Sequence, residues 1–467
     1  MKFDVVLSNP PFQDRVGRKR TPHKLWIEFT ELALARQLTP GGLLLQVSPA
    51  SFSSPSNRVL ALMRRHQTQI INFDVAHHFP KVGSSFAWYA IENRPSSSAT
   101  KLVAGGVVSE VTLDEGVLWL PTDLTAEGWS IHRKVMFETD EKLDVRHDYV
   151  TGHNIRLGST LSKERTDVHV YPMFHTNRQV WWSSVKQDWA DQPKVMWTRS
   201  GYTRPFADHG TMGGTDMVYF VVCDSAEQAD VLAHNLNLML FRYIFSTAKW
   251  SGFGNELVFE ALPQVPTSRK LSDRQLCDFF GLSSSEREHL RRWADGLPPV
   301  PSSSPDVSSQ LGLSDDPRWE EVRARVNSHA YMEGVERTAA RVAATGEVFT
   351  PTDLVIEMMR SQPLEVWAPG RTVLDPACGD GQFLAAAKWA KVVFFGLSEE
   401  EASADLYGVD IMRDNVDLCR RRLGGGTVVM GNTLAPDSRL PDQSDEEFQV
   451  MLELHSQAPQ LPLINVA

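Results

Sequence analysis

The chain of 467 residues opens with a short apolar strand that two prolines end, in the stretch FDVVLSNPPF at residues 3–12. Three consecutive apolar residues predict a buried strand over residues 4–8. Pro10 and Pro11 end it because each fixes its own φ angle and has no amide hydrogen. The backbone therefore leaves the sheet in a rigid conformation, with the Asn9 side-chain oxygen beside the Pro10 carbonyl. Two adjacent acceptors suit an exocyclic NH₂ group, because they bind both protons and leave the nitrogen lone pair pointing elsewhere.

Phe12 follows the prolines and offers a ring face on which a flat heterocycle can stack. The tetrapeptide Asn9-Pro10-Pro11-Phe12 resembles the catalytic motif of the amino-methyltransferases, in particular the DNA N6-adenine methyltransferases of bacterial restriction-modification systems. The resemblance implies catalytic roles for all four residues and a target base stacked on Phe12. NPPF alone also fits an ordinary turn, because Asn and Pro favour turns, so the interpretation depends on a second motif.

That second motif is VLDPACGDGQFL at residues 373–384. A predicted strand runs into an acid and a glycine turn, and the apolar run that follows predicts a helix. Gly379 and Gly381 allow a tight turn and a close approach to a ligand, while the helix start offers unpaired amides to a carboxylate. The string resembles the S-adenosylmethionine loop of the same methyltransferases, which implies that Asp375 faces the amino end of the cofactor's methionine. The other cofactor contacts implied for this loop are Pro376, Ala377, Gly379 and Gly381.

Two further predicted strands follow the glycine turn. LYGVDI, at residues 406–411, ends in an acid, as do nucleotide-binding strands that hold ribose hydroxyls. Asp410 is therefore the predicted ribose ligand, and Ile411 is predicted to pack on the adenine ring. In TVVMGNTL, at residues 427–434, Asn432 stands where the family that the chain resembles often has Asp. Its amide oxygen can still accept a hydrogen bond from the cofactor's amino group.

Upstream of these strands, GEVFTP at residues 346–351 resembles the segment that covers the methionine end of the cofactor in the same family. Phe349 and Thr350 are the contacts that this resemblance implies. In that family the cofactor strands normally precede the NPPF strand, whereas here they follow it. The order predicts a circular permutation, which is tolerated where the original chain ends lie close together.

The predicted fold class is α/β, with a Rossmann-like sheet of S-adenosylmethionine-dependent methyltransferase type assembled from both ends of the chain. Strand 4–8 should lie beside strand 372–374, which places the NPPF motif and the glycine turn at neighbouring carboxyl ends, where open α/β sheets bind ligands. The predicted domains are a catalytic half with the NPPF motif at 1–135, a target-recognition domain at 140–290, a Pro/Ser linker at 291–317, and a cofactor-binding half at 318–467.

The composition, with 42 % hydrophobic and 22 % charged residues, is typical of a globular protein. The length allows two or three domains. No run approaches the roughly 20 apolar residues of a membrane span, and no leader segment is predicted at the start. The four cysteines form no CxxC pair, so neither a metal site nor a disulfide framework is indicated. We expect a cytoplasmic protein that needs no metal.

A net charge of −11 requires any DNA-binding surface to be local, since such surfaces gain affinity by neutralising phosphates. The segment QDRVGRKRTPHK directly after Phe12 provides a basic loop, and its position favours contacts to the DNA backbone. The alternative interpretation is a solvated surface loop. The predicted DNA contacts in this loop are Arg15, Arg18, Lys19 and Arg20.

The remainder of the first half alternates predicted helices and strands. Apolar spacing predicts a helix over 25–38, and apolar runs predict strands over 43–47 and 70–75. Phe79 then lies in an FP segment. In similar adenine methyltransferases a Phe at this point stacks on the second face of the flipped base, which implies that role for Phe79. The alternative is a core aromatic residue.

From about residue 143 to residue 290, long helical periodicity fades and aromatic residues alternate with cations. Cations on loops can reach base edges or phosphates, and aromatic rings can stack, so we expect a target-recognition domain of mixed α/β or β-rich structure. The alternative is a β-rich domain whose tryptophans form its core. The predicted DNA contacts are Arg178, Arg199, Arg204 and Lys249. After the linker, a charged amphipathic helix is predicted over 319–341.

Together the motifs predict a site-specific DNA methyltransferase that uses S-adenosylmethionine to methylate N6 of an adenine flipped out of double-stranded DNA, in a restriction-modification or phage system. A separate cognate restriction endonuclease remains open as a partner. Cytosine-N4 methylation is an alternative, although Ser or Asp usually replaces Asn9 in those enzymes. Methyltransferases acting on protein glutamine or RNA also carry NPP motifs but seldom a central insert of this size. A non-catalytic DNA specificity protein is the alternative from another class.

Overall fold

The structure is a computed structural model that describes residues 1–12, 24–55, 57–79, 85–148, 160–176, 179–199, 204–249, 256–298, 307–328 and 350–455. The strands are β1 Phe3–Ser8, β2 Leu38–Pro49, β3 His66–Asn72, β4 Phe86–Pro95, β5 Thr100–Ala104, β6 Val107–Val111, β7 Arg146–His147, β8 Leu161–Ser162, β9 Tyr171–Phe174, β10 Val180–Ser183, β11 Pro193–Thr198, β12 Phe206–His209, β13 Gly213–Gly214, β14 Val218–Val222, β15 Val373–Asp375, β16 Leu406–Asp410 and β17 Thr427–Met430.

The helices are α1 Leu25–Leu32, α2 Arg58–Arg65, α3 Ala126–His132, α4 Ala226–Leu236, α5 Met239–Thr247, α6 Glu256–Glu260, α7 Asp273–Phe279, α8 Ser284–Ala294, α9 Val307–Leu311, α10 Arg318–Asn327, α11 Thr352–Arg360, α12 Gln382–Phe395, α13 Glu399–Ala404, α14 Arg413–Leu423 and α15 Asp445–His455. Short 3₁₀ turns lie at Ala50–Ser53, Ala76–His78 and Leu364–Trp367, and π-helical turns extend α1 and α3 at Ala33–Gln37 and Arg133–Phe137. Among the described helices, none is long and apolar enough to cross a membrane.

The chain divides into two compact units. The first unit consists of Met1–Phe52, Arg58–Glu115 and Ser304–Ala467, and the second consists of Ser53–Asn57 and Gly116–Ser303. The first unit therefore takes residues from both ends of the chain.

The first unit is built on one large mixed sheet, so the predicted α/β class is confirmed. Within the described residues its strand order is β17-β16-β15-β1-β2-β4-β3-β5-β6. The strands from β17 to β2 are parallel, and β4 runs antiparallel to both of its neighbours. β1 pairs with β15, with Val5 opposite Val373 and Val6 opposite Leu374. This register confirms the predicted neighbourhood of these two strands and aligns their carboxyl ends.

Burial explains why β1 occupies an interior position in the sheet. Phe3, Val6 and Leu7 are fully buried, as expected for a parallel strand covered on both faces. Val5 and Leu7 belong to a core that also contains side chains of α11 and α12, such as Leu354 and Leu384. An apolar run of this kind is more stable inside a sheet than at its edge, where it would remain exposed.

A polar clamp joins the amino ends of β1 and β15. The Asp4 carboxylate accepts hydrogen bonds from the Thr372 amide and hydroxyl at 3.0 Å each and from the Arg371 guanidinium at 3.1 Å. Burial disfavours the ionised carboxylate, but the hydrogen bonds from Thr372 and Arg371 outweigh it and lower the pKa of Asp4 below its ordinary value. The Met1 amine donates to the carbonyls of Glu453 and Leu454, so the start of β1 also lies against the last turn of α15.

The second unit is of mixed α/β structure. Its described strands form two sheets, ordered β13-β9-β10-β8 and β12-β11-β14-β7. Helical periodicity nevertheless persists after residue 143, because α4 spans 11 residues and buries Ala229, Leu232 and Leu236 at helical spacing. Trp197 is 2 % exposed and packs in the core of this unit, as the alternative interpretation of the tryptophans predicts.

Two predicted boundaries need correction. The catalytic half was expected to reach residue 135, but the first unit's amino-terminal segments end at Glu115 because Trp119, Ile131 and Val135 pack into the core of the second unit. The predicted linker at 291–317 is shorter than expected, since α9 lies within it and Leu311 is buried in the core of the first unit. The predicted helix 319–341 corresponds to α10 up to Asn327, and residues 329–349 lie outside the described residues.

Candidate active site at the carboxyl edge of the sheet

Asn9 directly follows β1, at the edge where β1 and β15 both end. Its side-chain amide donates a hydrogen bond of 2.9 Å to the hydroxyl of Thr350. Thr350 is 7 % exposed and lies two residues before α11, so it reaches Asn9 from a distant part of the sequence. The structure thus places a predicted cofactor contact against the predicted catalytic amide. Phe349, its predicted companion, lies outside the described residues.

The glycine turn after β15 requires its glycines for two different reasons. Gly379 and Gly381 have φ angles of +52° and +86°, a region that side chains with a Cβ rarely adopt. A Cβ added at Gly381 would lie 2.6 Å from Sγ of Cys419 on α14, whereas one added at Gly379 would meet nothing within 4 Å. Gly381 caps α12 and therefore lets this helix begin directly above the turn.

Three buried carboxylates surround the turn. Asp375, Asp380 and Asp410 are 1 %, 6 % and 8 % exposed. Burial, followed by the neighbouring charges of Asp410 and Asp380, raises the pKa of Asp375 well above its ordinary value, although the Ala377 amide donates to it at 3.1 Å. Asp380 lies 3.5 Å from the Arg422 guanidinium. The concentration of buried acid favours a cationic ligand here.

Asp410, the predicted ribose ligand, is part of the hydrogen-bond network of the turn. One carboxylate oxygen accepts from the Gly379 amide at 2.9 Å, and the other accepts from the Met412 amide at 2.8 Å and from the Asn415 side chain at 3.1 Å. These bonds fix the carboxylate at the end of β16. Ile411, the next residue, is 49 % exposed, and an exposed apolar side chain at this edge offers a surface for a flat ring.

The loop after β17 reaches the same edge. Asn432 accepts a hydrogen bond from the Leu434 amide at 3.1 Å, so its side-chain oxygen caps its own turn. The neighbouring Thr433 hydroxyl donates at 2.6 Å to the carbonyl of Pro376, which ties this loop to the loop after β15. Sequence reasoning singled out Asn432 and missed Thr433, because nothing in the string TVVMGNTL shows that the hydroxyl reaches another loop.

An aromatic cluster lies beside the NPPF motif. Phe86 contacts both predicted stacking residues, with ring centroids 5.2 Å from Phe12 and 5.1 Å from Phe79. Phe79 and Phe86 are 6 % and 3 % exposed and belong to the core of the first unit. In this conformation Phe79 is therefore a core aromatic residue, the alternative that its sequence context left open. Phe86 was missed, because it lies at the start of a strand and belongs to no motif.

The predicted DNA contacts that the structure describes lie in the second unit. Arg199 forms an ion pair with Glu256, which leaves its charge partly neutralised. Arg204 is exposed, and Lys249 lies half-buried after α5. Arg15, Arg18, Lys19, Arg20 and Arg178 lie outside the described residues.

Other cations of the second unit lie on aromatic rings. The Lys163 ammonium is 6.0 Å from the ring centroid of Trp181, and the Arg165 guanidinium is 5.3 Å from that of Trp182. The alternation of aromatic residues with cations in this region was noted from the sequence, but neither Lys163 nor Arg165 was predicted as a contact. Across the residues for which positions are given, no group of three or more His, Cys, Asp or Glu has the geometry to hold a metal ion.

Comparison with known proteins gives one match to a family. Residues 326–423 match the family model described as N-6 DNA Methylase. The matched segment contains the glycine turn and Asp410 but not Asn9, and it covers less than half of the chain. No curated protein matches the sequence.

Among solved structures, one with similarity to the chain is described as the Type IIL restriction-modification enzyme MmeI in complex with DNA. The sequence identity is 9 % and the TM-score is 0.32, with 64 % of this chain and 50 % of that chain covered. The chain therefore spans about half the length of that enzyme. A TM-score of this size does not establish a common fold.

Proposed function

We propose that the chain is a DNA methyltransferase that transfers the methyl group of S-adenosylmethionine to the N6 amino group of adenine. The observation that carries the proposal is the parallel pairing of β1 with β15, which brings Asn9 and the glycine turn to neighbouring strand ends. Ligands of open α/β sheets bind at such ends. The similarity of residues 326–423 to N-6 DNA methylases supports the same reaction.

The residues of this edge fit the charges of S-adenosylmethionine, which carries an ammonium, a carboxylate and a sulfonium group. Asp375 and Asp380 are buried and supply negative charge for the cationic groups. The first amides of α12 suit the carboxylate, because a helix start presents unpaired N–H groups. Ile411 supplies an apolar surface for the adenine ring. When bound, S-adenosylmethionine supplies a methyl group activated by the adjacent sulfonium charge.

In the proposed reaction, Asn9 and Pro10 orient the target nitrogen. The Asn9 side-chain oxygen and the Pro10 carbonyl accept the two protons of the adenine amino group and direct its lone pair toward the methyl donor. No strong base is required before transfer, because the nitrogen loses a proton after it has become positive. The base must first leave the duplex, at a cost of a few kcal/mol, and stack on the ring of Phe12.

We further propose that the second unit recognises the DNA target. Its exposed Arg204 and the cations placed on Trp181 and Trp182 are suited to phosphate or base contacts. Double-stranded DNA is the proposed partner. The proposed setting is a restriction-modification or phage system, with a separate restriction endonuclease as a further partner. The buried tryptophans of this unit are assigned to its core.

We also propose that the motif order is a circular permutation. Support comes from the sheet, in which β15 to β17 lie directly beside β1 although they follow it in sequence. Further support comes from the contact between the Met1 amine and the carbonyls of Glu453 and Leu454, at 3.2 and 3.0 Å. In the unpermuted order, a short connection would lead from this helix into β1.

Methyl transfer from labelled S-adenosylmethionine to plasmid DNA, followed by nucleoside analysis, tests the proposal. We expect label in N6-methyladenine. Asn9→Ala should abolish transfer, because the amino group loses one of its two acceptors, while the affinity for S-adenosylmethionine measured by calorimetry stays unchanged. Label in N4-methylcytosine would show that the target base is cytosine and not adenine. Undiminished adenine methylation by Asn9→Ala would contradict the proposed chemistry.

A further inference from the structure

The Asn9 side chain has two chemically opposite ends. Its oxygen accepts hydrogen bonds and its nitrogen donates them, so only one of its two orientations can bind an amino group. In the opposite orientation, donor would face donor and the adenine amino group would be repelled. The neighbouring Pro10 and Pro11 have no amide hydrogen that could hold the oxygen. The orientation therefore has to be set by another residue.

Thr350 contacts this side chain with the polarity that the proposed reaction needs. Its hydroxyl oxygen accepts a hydrogen bond of 2.9 Å from the Asn9 amide nitrogen. Thr350 is 7 % exposed, and two features restrict it: a β-branched side chain limits its χ1 angle, and the following Pro351 limits its backbone to extended conformations. The acceptor is thus held in one place.

Hydrogen bonds to three other elements hold α11, the helix after Thr350. The Thr352 hydroxyl accepts a hydrogen bond of 2.6 Å from the side chain of Gln382, the first residue of α12 after the glycine turn. Farther along α11, the Glu357 carboxylate accepts from the side chains of Asn72 at 2.8 Å and Trp88 at 3.0 Å. Strands β3 and β4 and the start of α12 therefore fix the segment that carries Thr350.

We propose that Thr350 is a positioning residue that orients the Asn9 amide, so that its oxygen faces the amino group of the target base. The inference rests on the proposed function and assigns to Thr350 a task that differs from a contact with the cofactor. Thr350 does not touch the reacting atoms in this scheme. It acts through Asn9, because its hydroxyl accepts the hydrogen bond that orients the Asn9 amide.

Thr350→Val and Thr350→Ser test this inference, because valine keeps the shape and removes the hydroxyl, whereas serine keeps the hydroxyl. Thr350→Val removes the hydrogen bond that orients the Asn9 amide, and loss of one hydrogen bond corresponds to about a tenfold lower rate. We expect the single-turnover rate of methyl transfer to fall about tenfold or more in Thr350→Val. The affinity for S-adenosylmethionine should stay within about twofold of the unaltered chain, and Thr350→Ser should restore the rate to within about threefold.

Thr100→Val is the matched control. Thr100 is 2 % exposed and its hydroxyl donates to the Thr68 carbonyl at 2.8 Å, so the variant also loses one buried hydrogen bond, on a strand that does not carry the site. Its melting temperature should fall by an amount similar to that of Thr350→Val, with no change in the single-turnover rate. This comparison separates positioning from a general loss of stability.

The outcomes separate the inference from the proposed function. An unchanged rate in Thr350→Val overturns the inference, as does a weaker affinity for S-adenosylmethionine with an unchanged rate at saturation, which would make Thr350 a cofactor contact. Undiminished activity in Asn9→Ala would instead remove the proposed function itself. Loss of activity in Asn9→Ala together with a normal Thr350→Val leaves the function standing and removes only the inference.

Discussion

At the scale of single residues, the buried acids at the sheet edge make the site sensitive to pH. Asp375 is 1 % exposed and faces the charges of Asp410 and Asp380, so burial and like charge both favour its protonated form. A cationic ligand reverses this preference, because it stabilises the ionised carboxylate. Binding of S-adenosylmethionine should therefore be coupled to the loss of a proton from Asp375.

The first prediction concerns this coupling. In the free protein the pKa of Asp375 is raised, and a bound cation lowers it, so between these two values binding releases a proton and affinity increases with pH. Calorimetry in two buffers of different ionisation enthalpy measures the released protons. Asp375→Asn removes the titrating group, so its binding should release fewer protons and be weaker at high pH, with the difference in affinity shrinking as the pH falls and Asp375 of the unaltered chain becomes protonated. Equal proton release by this variant would assign the proton to another group.

Several residues of the candidate site could be predicted because their chemistry is local in sequence. Asn9 and Asp375 each stand in a short motif whose glycines or prolines fix the backbone around them. The hydrogen bond from Asn9 to Thr350 could not be predicted, since it joins residues separated by more than three hundred positions. Phe86 was missed because it belongs to no motif, and its contacts with Phe12 and Phe79 arise only when the sheet forms.

At the scale of elements, the start of α12 depends on the close approach of α14. Gly381 has a φ of +86°, and its replacement by alanine would place a Cβ 2.6 Å from the Cys419 sulfur. Gly396 has a φ of +69°, and a Cβ added there would meet no atom within 4 Å. We predict that Gly396→Ala lowers the free energy of unfolding by about 1 kcal/mol, from backbone strain alone. Gly381→Ala should lower it by a further 1–3 kcal/mol or so because of the overlap.

Urea denaturation followed by circular dichroism measures both glycine variants, with Gly396→Ala as the matched control. Gly381→Ala should also weaken binding of S-adenosylmethionine, because the turn and the first amides of α12 must shift. If the two alanines destabilised the chain equally, the close packing between the turn and Cys419 would contribute nothing.

In the second unit, one carboxylate joins two helices and the turn before a third. Asp123, just before α3, accepts hydrogen bonds from His289 on α8 at 2.7 Å and from Tyr243 on α5 at 2.8 Å. Burial opposes the ionised carboxylate, but the bonds from His289, Thr125 and Tyr243 outweigh it and lower the pKa of Asp123 to about 2. The carboxylate thus stabilises the packing of these helices only while it is ionised.

The pH dependence of unfolding tests this contribution. Because the folded pKa is lowered from 3.8 to about 2, the stabilisation is fully present above about pH 4 and is lost as the pH falls toward 2. At pH 6, Asp123→Asn should be less stable by about 2 kcal/mol. The difference between variant and unaltered chain in thermal unfolding should shrink below pH 4. A difference that is the same at pH 3 and pH 6 would contradict this role.

At the scale of the whole molecule, the sequence predicted the sheet more closely than it predicted the boundaries of the units. The pairing of β1 with β15 was predicted from chemistry, since the two motifs are proposed to serve one reaction and must then lie close together. The end of the first unit's amino-terminal segments at Glu115 did not follow, because Trp119 and Val135 belong to the same core as Leu232 and Tyr243, and no periodicity shows which core a side chain joins.

The strand order makes the proposed cofactor site dependent on residues from both ends of the chain. Separating residues 1–303 from 304–467 removes β1 from its place beside β15 and leaves Val373 and Leu374 on an uncovered edge. We predict that the fragment 304–467 alone does not bind S-adenosylmethionine measurably, although it contains the glycine turn and the segment matched by the methylase family.

Mixing the two fragments should restore binding. Their association is favoured by the hydrogen bonds from Thr372 and Arg371 to Asp4 and by the pairing of the apolar strand β1 with β15. Calorimetry on each fragment and on the mixture measures this, and Asp4→Ala in the first fragment should weaken the restoration. Full affinity in the isolated 304–467 fragment would show that the cofactor site forms without β1 and would remove the structural basis for placing both motifs in one cleft.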